Sequence, residues 1–147
     1  MLRVYIDGAC EPVNPGGTAS YGLLVKFHQT GEVLYSDNRI VGSGPLMSNN
    51  VGEYSALFAF LKWFIKLQSE TSDLELRSSA IIHSDSQLLI NQMDGKWKIK
   101  SGLYVPYYIN CCDIIREYNL RVRLFYKWIP REENVEADRL SKQALRS

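Results

Sequence analysis

The order of strand and helix patterns along this 147-residue chain predicts an α/β fold, with a five-stranded mixed sheet flanked by helices. Two observations lead to this fold class. Three strand-like segments joined by short turns open the sequence, and two later strand-like segments alternate with helical ones. A meander followed by two β-α crossovers gives a sheet that is antiparallel at one side and parallel at the other. The predicted element order is β-β-β-α-β-α-α-β-α.

The opening meander is marked by β-forming runs and by turn residues. Residues 3–7, 21–27 and 33–41 are predicted strands, because each run is rich in apolar and β-branched side chains. The prolines and glycines of residues 10–17 predict a turn after the first strand, and residues 28–31 predict a second turn.

The second half of the chain alternates between helix and strand periodicity. The apolar residues of 53–67 recur at helical spacing and form one face: Tyr54, Leu57, Phe58, Leu61 and Ile65. The elements predicted after this helix are a buried strand over 80–82, helices over 86–93 and 103–118, and an alternating strand over 121–128. Asn134 is a candidate N-cap for a last helix over 135–145.

Composition limits the size and setting of the protein. A chain of this length suits a single domain spanning 1–147 with its own core. Three cysteines without a CxxC pair indicate reduced thiols and a cytoplasmic location, and they exclude a fully paired disulfide framework. Ser55, Lys62 and Lys66 interrupt the longest apolar stretch, so we expect no membrane association. We expect a monomer without an obligate protein partner.

Four carboxylates occupy positions at which the predicted fold can bring them together. Asp7 and Asp85 end the first and fourth strands, and side chains at the carboxyl ends of neighbouring parallel strands lie side by side. Glu53 and Asp138 stand near the starts of helices. A set of oxygen ligands without histidine or thiolate suits Mg²⁺ or Mn²⁺. Any one of these acids alone is more commonly a surface acid or a helix cap.

Several short motifs occur in a fixed order between about residue 3 and residue 144. They are Asp7-Gly8-Ala9-Cys10, Asn14-Pro15-Gly16-Gly17, Asn49-Asn50-Val51-Gly52-Glu53-Tyr54, Asp85-Ser86-Gln87 and Glu133-Asn134-x-x-Ala137-Asp138. In this order they resemble ribonuclease H type 1, and most closely its compact, archaeal-like members that lack a basic protrusion. The resemblance implies the ribonuclease H-like fold.

The resemblance also implies an activity and its catalytic residues. Ribonucleases H are endoribonucleases that hydrolyse the RNA strand of RNA/DNA hybrids by two-metal-ion catalysis and leave 5′-phosphate and 3′-hydroxyl ends. By this likeness Asp7 would bridge two Mg²⁺ (or Mn²⁺) ions, with Glu53 and Asp85 completing one site and Asp138 the other. No organic cofactor is implied.

The same resemblance assigns residues to substrate binding. Asn14, Asn49 and Gln87 match the groove residues that contact ribose 2′-hydroxyls of the RNA strand, which is how a protein distinguishes RNA from DNA. Asn50 matches a second asparagine, and Ser48 stands where a small hydroxyl residue often holds a DNA phosphate. Structural roles stay open for all of them, since Asn14 suits a turn, residues 48–50 a helix cap and Gln87 a first helical turn.

Two features depart from many members of the family. The long basic handle helix is replaced by a short segment in which Lys96, Trp97 and Lys98 could contact a DNA backbone or form a solvated turn. The loop before Asp138 has no histidine, and Arg131 is the candidate to take its place. Arginine can neutralise phosphate charge but cannot act as a general base, because its pKa is too high.

The net charge of +1 argues weakly against a polyanionic partner when it is taken alone. If four acids bind cations, 12 acids face 17 basic residues, and we expect modest, moderately salt-dependent hybrid binding. Three other functions remain open. They are an integrase, transposase or resolvase on the same fold, a hybrid-binding module without catalysis, and an ATPase of the sugar-kinase and actin type, which would need two such domains.

Overall fold

The structure is a computed structural model that describes residues 1–147, and its centre is one five-stranded sheet. The strands are β1 (Leu2–Glu11), β2 (Thr18–Phe27), β3 (Val33–Ser43), β4 (Ala80–Ser84) and β5 (Leu124–Trp128). They lie in the order β3-β2-β1-β4-β5. The β1–β2 and β2–β3 pairs are antiparallel, whereas the β1–β4 and β4–β5 pairs are parallel. The predicted mixed sheet is confirmed.

Helices cover both faces of this sheet. They are α1 (Asn49–Glu70), α2 (Leu74–Ser78), α3 (Gln87–Met93), α4 (Val105–Glu117) and α5 (Val135–Arg146), with 3₁₀ turns at Arg121–Arg123 and Arg131–Glu133. Leu23 packs in the core with α1, while its neighbour Gly22 contacts α5. Successive strand residues point to opposite faces, so α1 and α5 lie on opposite sides. None of these helices has both the length and the apolar character needed to cross a membrane.

Helix α1 begins four residues earlier than its periodicity predicts. The Ser48 hydroxyl accepts a hydrogen bond from the Val51 amide and caps the helix, so Glu53 lies in its second turn and does not open it. Phe60 and Phe64 are fully buried, whereas Phe58, which the helical spacing placed in the core, is only partly buried. The buried face is therefore rotated toward residues 60 and 64.

The alternating pattern over 121–128 is only partly a strand. β5 begins at Leu124, and the 3₁₀ turn before it leaves Val122 77% exposed. The physical reason is a tertiary contact: the Arg123 guanidinium donates hydrogen bonds to the Gln68 side chain and to the Arg77 carbonyl. The sequence pattern of residues 121–123 carries no sign of these partners. Helix α2, which contains Arg77, was not predicted either.

Candidate active site

The register of the parallel strands places two aspartates at the same level. Tyr5 pairs with His83 at the end of the β1–β4 ladder, and their rings stack 4.6 Å apart. Asp7 stands two residues after Tyr5, and Asp85 stands two residues after His83. Since side chains two residues apart lie on the same face, the aspartates continue the Tyr5–His83 column past the end of β4. The predicted neighbourhood of Asp7 and Asp85 is thereby confirmed.

A close approach of α1 to the sheet delivers Glu53 to these aspartates. A Cβ atom on Gly8 would clash with the Glu53 backbone nitrogen, and one on Gly52 would clash with the Ser20 carbonyl oxygen. The two glycines therefore let the helix backbone rest directly on β1 and β2. As a result, one oxygen each of Asp7, Glu53 and Asp85 lie within 4.8 Å of one another.

Helix α5 brings Asp138 to the same cavity from the other face. Gly22 of β2 permits this contact, because a Cβ atom there would clash with the Ala137 carbonyl oxygen. Asp138 lies in the first turn of α5, as predicted, and lines a cavity of about 480 Å³ together with the other three acids. It is more exposed than Asp7 and Glu53 and stands outside their compact group.

Asn134 fixes the start of α5, but not in the predicted way. Its side chain does not cap the helix; the amide nitrogen instead donates a 2.9 Å hydrogen bond to the Ile6 carbonyl, beside Asp7. Asn134 is 1% exposed. The helix begins after Asn134 as predicted, but the predicted side-chain cap is absent because a backbone acceptor on β1 takes the side chain away from the helix end. The residue therefore ties α5 to the strand that carries Asp7.

We expect Asn134→Ala to loosen this attachment. The substitution leaves the Ile6 carbonyl without its partner in a buried place, which costs about 1–3 kcal/mol in the free energy of unfolding. Urea denaturation followed by circular dichroism measures the loss. Gln143→Ala, on the exposed side of α5, is the control. Equal stability of the two variants would show that the hydrogen bond to Ile6 does not hold α5.

Burial and mutual repulsion raise the pKa values of the clustered acids. The pKa of Asp7 rises from 3.8 to about 8, chiefly through burial and then through the charges of Asp85 and Asp138. Burial and the charge of Asp7 hold the pKa of Glu53 well above its usual range. The pKa of Asp85 is also raised by burial, although Arg131 opposes the shift. The protein itself therefore supplies too little positive charge to neutralise these carboxylates.

The donor set fits a hard divalent cation. Every candidate ligand is a carboxylate oxygen, and Glu53 Oε2 is buried without accepting any hydrogen bond. A buried acceptor without a partner is costly, so a ligand that binds it is favoured. Oxygen-only sites suit Mg²⁺ or Mn²⁺, and neither a histidine nor a thiolate joins the group.

Two basic side chains and one indole border the acids. Arg131 Nε lies 3.8 Å from Asp85, and Lys142 Nζ lies 3.4 Å from Asp138. The Arg131 side chain is 88% exposed, so it can move toward a substrate phosphate. Trp128 donates its indole N–H to the Asp85 carbonyl. Sequence reasoning missed Lys142 and Trp128, although Lys142 stands four residues after Asp138 on a predicted helix.

The predicted substrate residues fall into two groups. Asn14 and Asn49 line the acid cavity and form reciprocal hydrogen bonds, with Asn14 donating its amide to Asn49 and accepting from the Asn49 backbone. The others do not line it: Ser48, Asn50, Gln87, Lys96, Trp97 and Lys98. Gln87 and the 96–98 segment are exposed at the surface near α3. Trp97 is 47% exposed, so it does not anchor a core.

Comparison with known proteins assigns the family. The sequence model of the family described as reverse transcriptase-like matches residues 6–144. The chain belongs to this family. Bifunctional protein Rv2228c of Mycobacterium tuberculosis is 32% identical over 144 residues, which are 98% of this chain and 36% of that protein. The chain thus spans about a third of the length of this curated relative.

Solved structures similar to this chain include ribonuclease H1 domains. The N-terminal RNase H domain of Rv2228c has 29% identity and a TM-score of 0.78, covering 97% of both chains. LC11-RNase H1 in complex with an RNA/DNA hybrid has 26% identity and a TM-score of 0.83, covering 99% of this chain and 97% of that one. The predicted resemblance to ribonuclease H type 1, and its fold, are confirmed.

Proposed function

We propose that this chain is a metal-dependent endoribonuclease that hydrolyses the RNA strand of RNA/DNA hybrids. The observation that carries the proposal is the buried carboxylate group of Asp7, Glu53 and Asp85, with Asp138 beside it. The solved ribonuclease H1 that binds an RNA/DNA hybrid supports the substrate class. In this proposal residues 1–147 form one ribonuclease H domain, which acts as a monomer in the cytoplasm.

The four acids hold the catalytic ions in this proposal. Asp7 would contribute to holding both ions, Glu53 and Asp85 would help to hold one of them, and Asp138 would help to hold the other. Two Mg²⁺ or Mn²⁺ ions, when bound, would lower the pKa of the attacking water and neutralise charge on the phosphate and the leaving 3′ oxygen. The protein contributes rigid placement, because α1 packs on β1 and β2 at Gly8 and Gly52, and α5 packs on β2 at Gly22.

The residues around the acids bind and orient the hybrid. Asn14 and Asn49 present amide groups at the cavity edge, where they can donate to ribose 2′-hydroxyls and accept from them. Arg131 and Lys142 neutralise phosphate charge beside the scissile bond. Ser48, Asn50, Gln87 and the segment of Lys96, Trp97 and Lys98 contact the duplex further out, in the same proposal.

A cleavage panel tests the activity. End-labelled RNA/DNA, RNA/RNA and DNA/DNA duplexes are incubated with Mg²⁺, Mn²⁺ or EDTA, and product ends are identified by mass spectrometry. We expect cleavage only of the RNA strand of the hybrid, and its products should carry 5′-phosphate and 3′-hydroxyl ends. We expect no cleavage in EDTA. Asp85→Asn should lower the rate about 1,000-fold or more, because several kcal/mol of charge stabilisation are lost.

The control for this panel is Asp113→Asn, which removes an exposed acid from α4. It should cut hybrids at the wild-type rate. Cleavage of DNA/DNA duplexes would favour a nuclease or transposase function on the same fold. Hybrid binding without turnover in either ion would favour a binding module. Full activity of Asp85→Asn would refute the assignment of the acids.

A further inference from the structure

A second polar pocket lies at the opposite end of the molecule from the acids. It has a volume of about 490 Å³, is open to solvent, and is bordered by the end of α1, by α2, and by the segments that follow α4. Gln68 in its wall stands 15 residues after Glu53 on the same helix, a distance of roughly 22 Å at 1.5 Å per residue. It is therefore separate from the carboxylate cavity.

The lining of this pocket is basic without any acidic residue. Four cationic side chains contribute to it: Lys62, Lys66, Arg77 and Arg123. Glu70, which lies outside the lining, has its carboxylate 3.9 Å from Lys66. The two arginines are partly buried, and Arg123 donates a hydrogen bond to the carbonyl of Arg77. Gathering like charges in this way is unfavourable unless an anion offsets it.

Two buried donors at the same place have no partner. Arg77 Nε and Gln68 Nε2 are both shielded from solvent and make no hydrogen bond. The Gln68 carbonyl oxygen is already held by Arg123, so its amide nitrogen is oriented by that bond and stays free to donate. Unsatisfied buried N–H groups are rare in proteins and favour a ligand rich in acceptors.

We propose that this pocket binds a phosphate group. Phosphate oxygens can accept from both guanidinium groups in the forked geometry that arginine provides, and from the Gln68 amide once its side chain turns toward the pocket, since Gln68 Nε2 is shielded from solvent in this structure. Lys62 and Lys66 are exposed and stand at the mouth, where they add charge that attracts the anion. The group could be carried by a free nucleotide or by a nucleic-acid strand, which share this chemistry. The site does not depend on the proposed nuclease activity.

The test is a titration of the intact ¹⁵N-labelled chain with inorganic pyrophosphate, in buffer free of divalent ions so that the carboxylates bind none. We expect saturable NMR shifts of the Arg77 Nε–H and Gln68 side-chain amide signals. Lys62→Gln with Lys66→Gln should weaken binding about tenfold, because the two exposed charges at the mouth no longer attract the anion. Arg116→Gln with Arg121→Gln removes equal charge outside the lining and should not change the affinity.

Further ligands identify the source of the phosphate. Saturation by ADP as well as by pyrophosphate indicates a free nucleotide, whereas saturation by a DNA oligonucleotide and not by ADP indicates a nucleic-acid strand. Arg77→Gln should abolish the shifts, with circular dichroism as the check on folding. The lysine variants keep the test valid if Arg77→Gln does not fold. Absence of saturable shifts, or equal weakening by both double variants, overturns the proposal.

Discussion

Asp7→Asn is expected to lower hybrid cleavage about 1,000-fold or more and, at pH 8 without divalent ions, to make the protein more stable. Activity falls because Asp7 is the acid that both proposed ion positions share, and several kcal/mol of charge stabilisation depend on those ions. Stability rises because the substitution removes a charge that is unfavourable first through its burial and then through repulsion by Asp85 and Asp138. The two effects have opposite signs, which a merely misfolded variant could not produce.

The direction of the stability effect follows from the pKa of Asp7. Its value is about 8 in the folded protein and 3.8 for the ordinary carboxyl, so the folded state holds a proton that the unfolded chain has lost. The free energy of unfolding therefore falls as pH rises from about 4 to about 8, by up to 1.36 kcal/mol per pH unit. Below pH 4 both states are protonated, and the penalty disappears.

Urea denaturation in EDTA at pH 5 and pH 8 measures this dependence. Wild type should lose on the order of 2–3 kcal/mol between the two values, and Asp7→Asn should lose less. Added Mg²⁺ should raise the free energy of unfolding at pH 8 more for wild type than for the variant, because a bound ion stabilises only the folded state that binds it. Asp113→Asn, on the surface of α4, should follow wild type throughout. Parallel stability curves for Asp7→Asn and wild type would contradict the raised pKa of Asp7.

The positions of the acids could be predicted from the sequence, because strand periodicity and the order of the elements determine where these residues lie. Asp7 and Asp85 each follow a short apolar run, and two crossovers place those runs side by side. The start of α1 was predicted too late, since Asn49–Gly52 show little apolar periodicity and the helix begins through the Ser48 cap. The local sequence pattern thus determines which elements form, but it does not determine the residue at which a capping hydrogen bond begins a helix.

Tertiary partners account for what the sequence could not reveal. Asn134 bonds to Ile6, 128 residues away, and Arg123 bonds to Gln68, 55 residues away. Neither acceptor can be recognised from spacing, because both contacts depend on elements that pack only in the folded chain. The roles of the glycines also depend on tertiary contacts that the sequence does not show. Gly52 reads as an unfavourable residue inside a helix until the Ser20 carbonyl is seen against it.

Gly52→Ala is expected to separate α1 from the sheet and to reduce cleavage about 100-fold. Alanine normally favours a helix interior over glycine by roughly 0.5–1 kcal/mol. At this position its Cβ atom would clash with the Ser20 carbonyl oxygen and come within 3.0 Å of Gly8 Cα, and both are backbone atoms. The helix must shift, and the next residue along it is Glu53. A displacement of about 1 Å in a catalytic group can cost 100-fold in rate.

The substitution should also destabilise the fold by about 1–3 kcal/mol, the usual cost of overpacking, against the helix preference of alanine. Ser55→Ala is the matched control, since it adds alanine to the same helix three residues later without a backbone clash. It should leave cleavage unchanged and alter stability by less than about 0.5 kcal/mol. Urea denaturation, hybrid cleavage and a Mg²⁺ titration of the two variants measure the three effects. If Gly52→Ala binds Mg²⁺ and cuts hybrids like Ser55→Ala, close packing of α1 on β1 and β2 does not position Glu53.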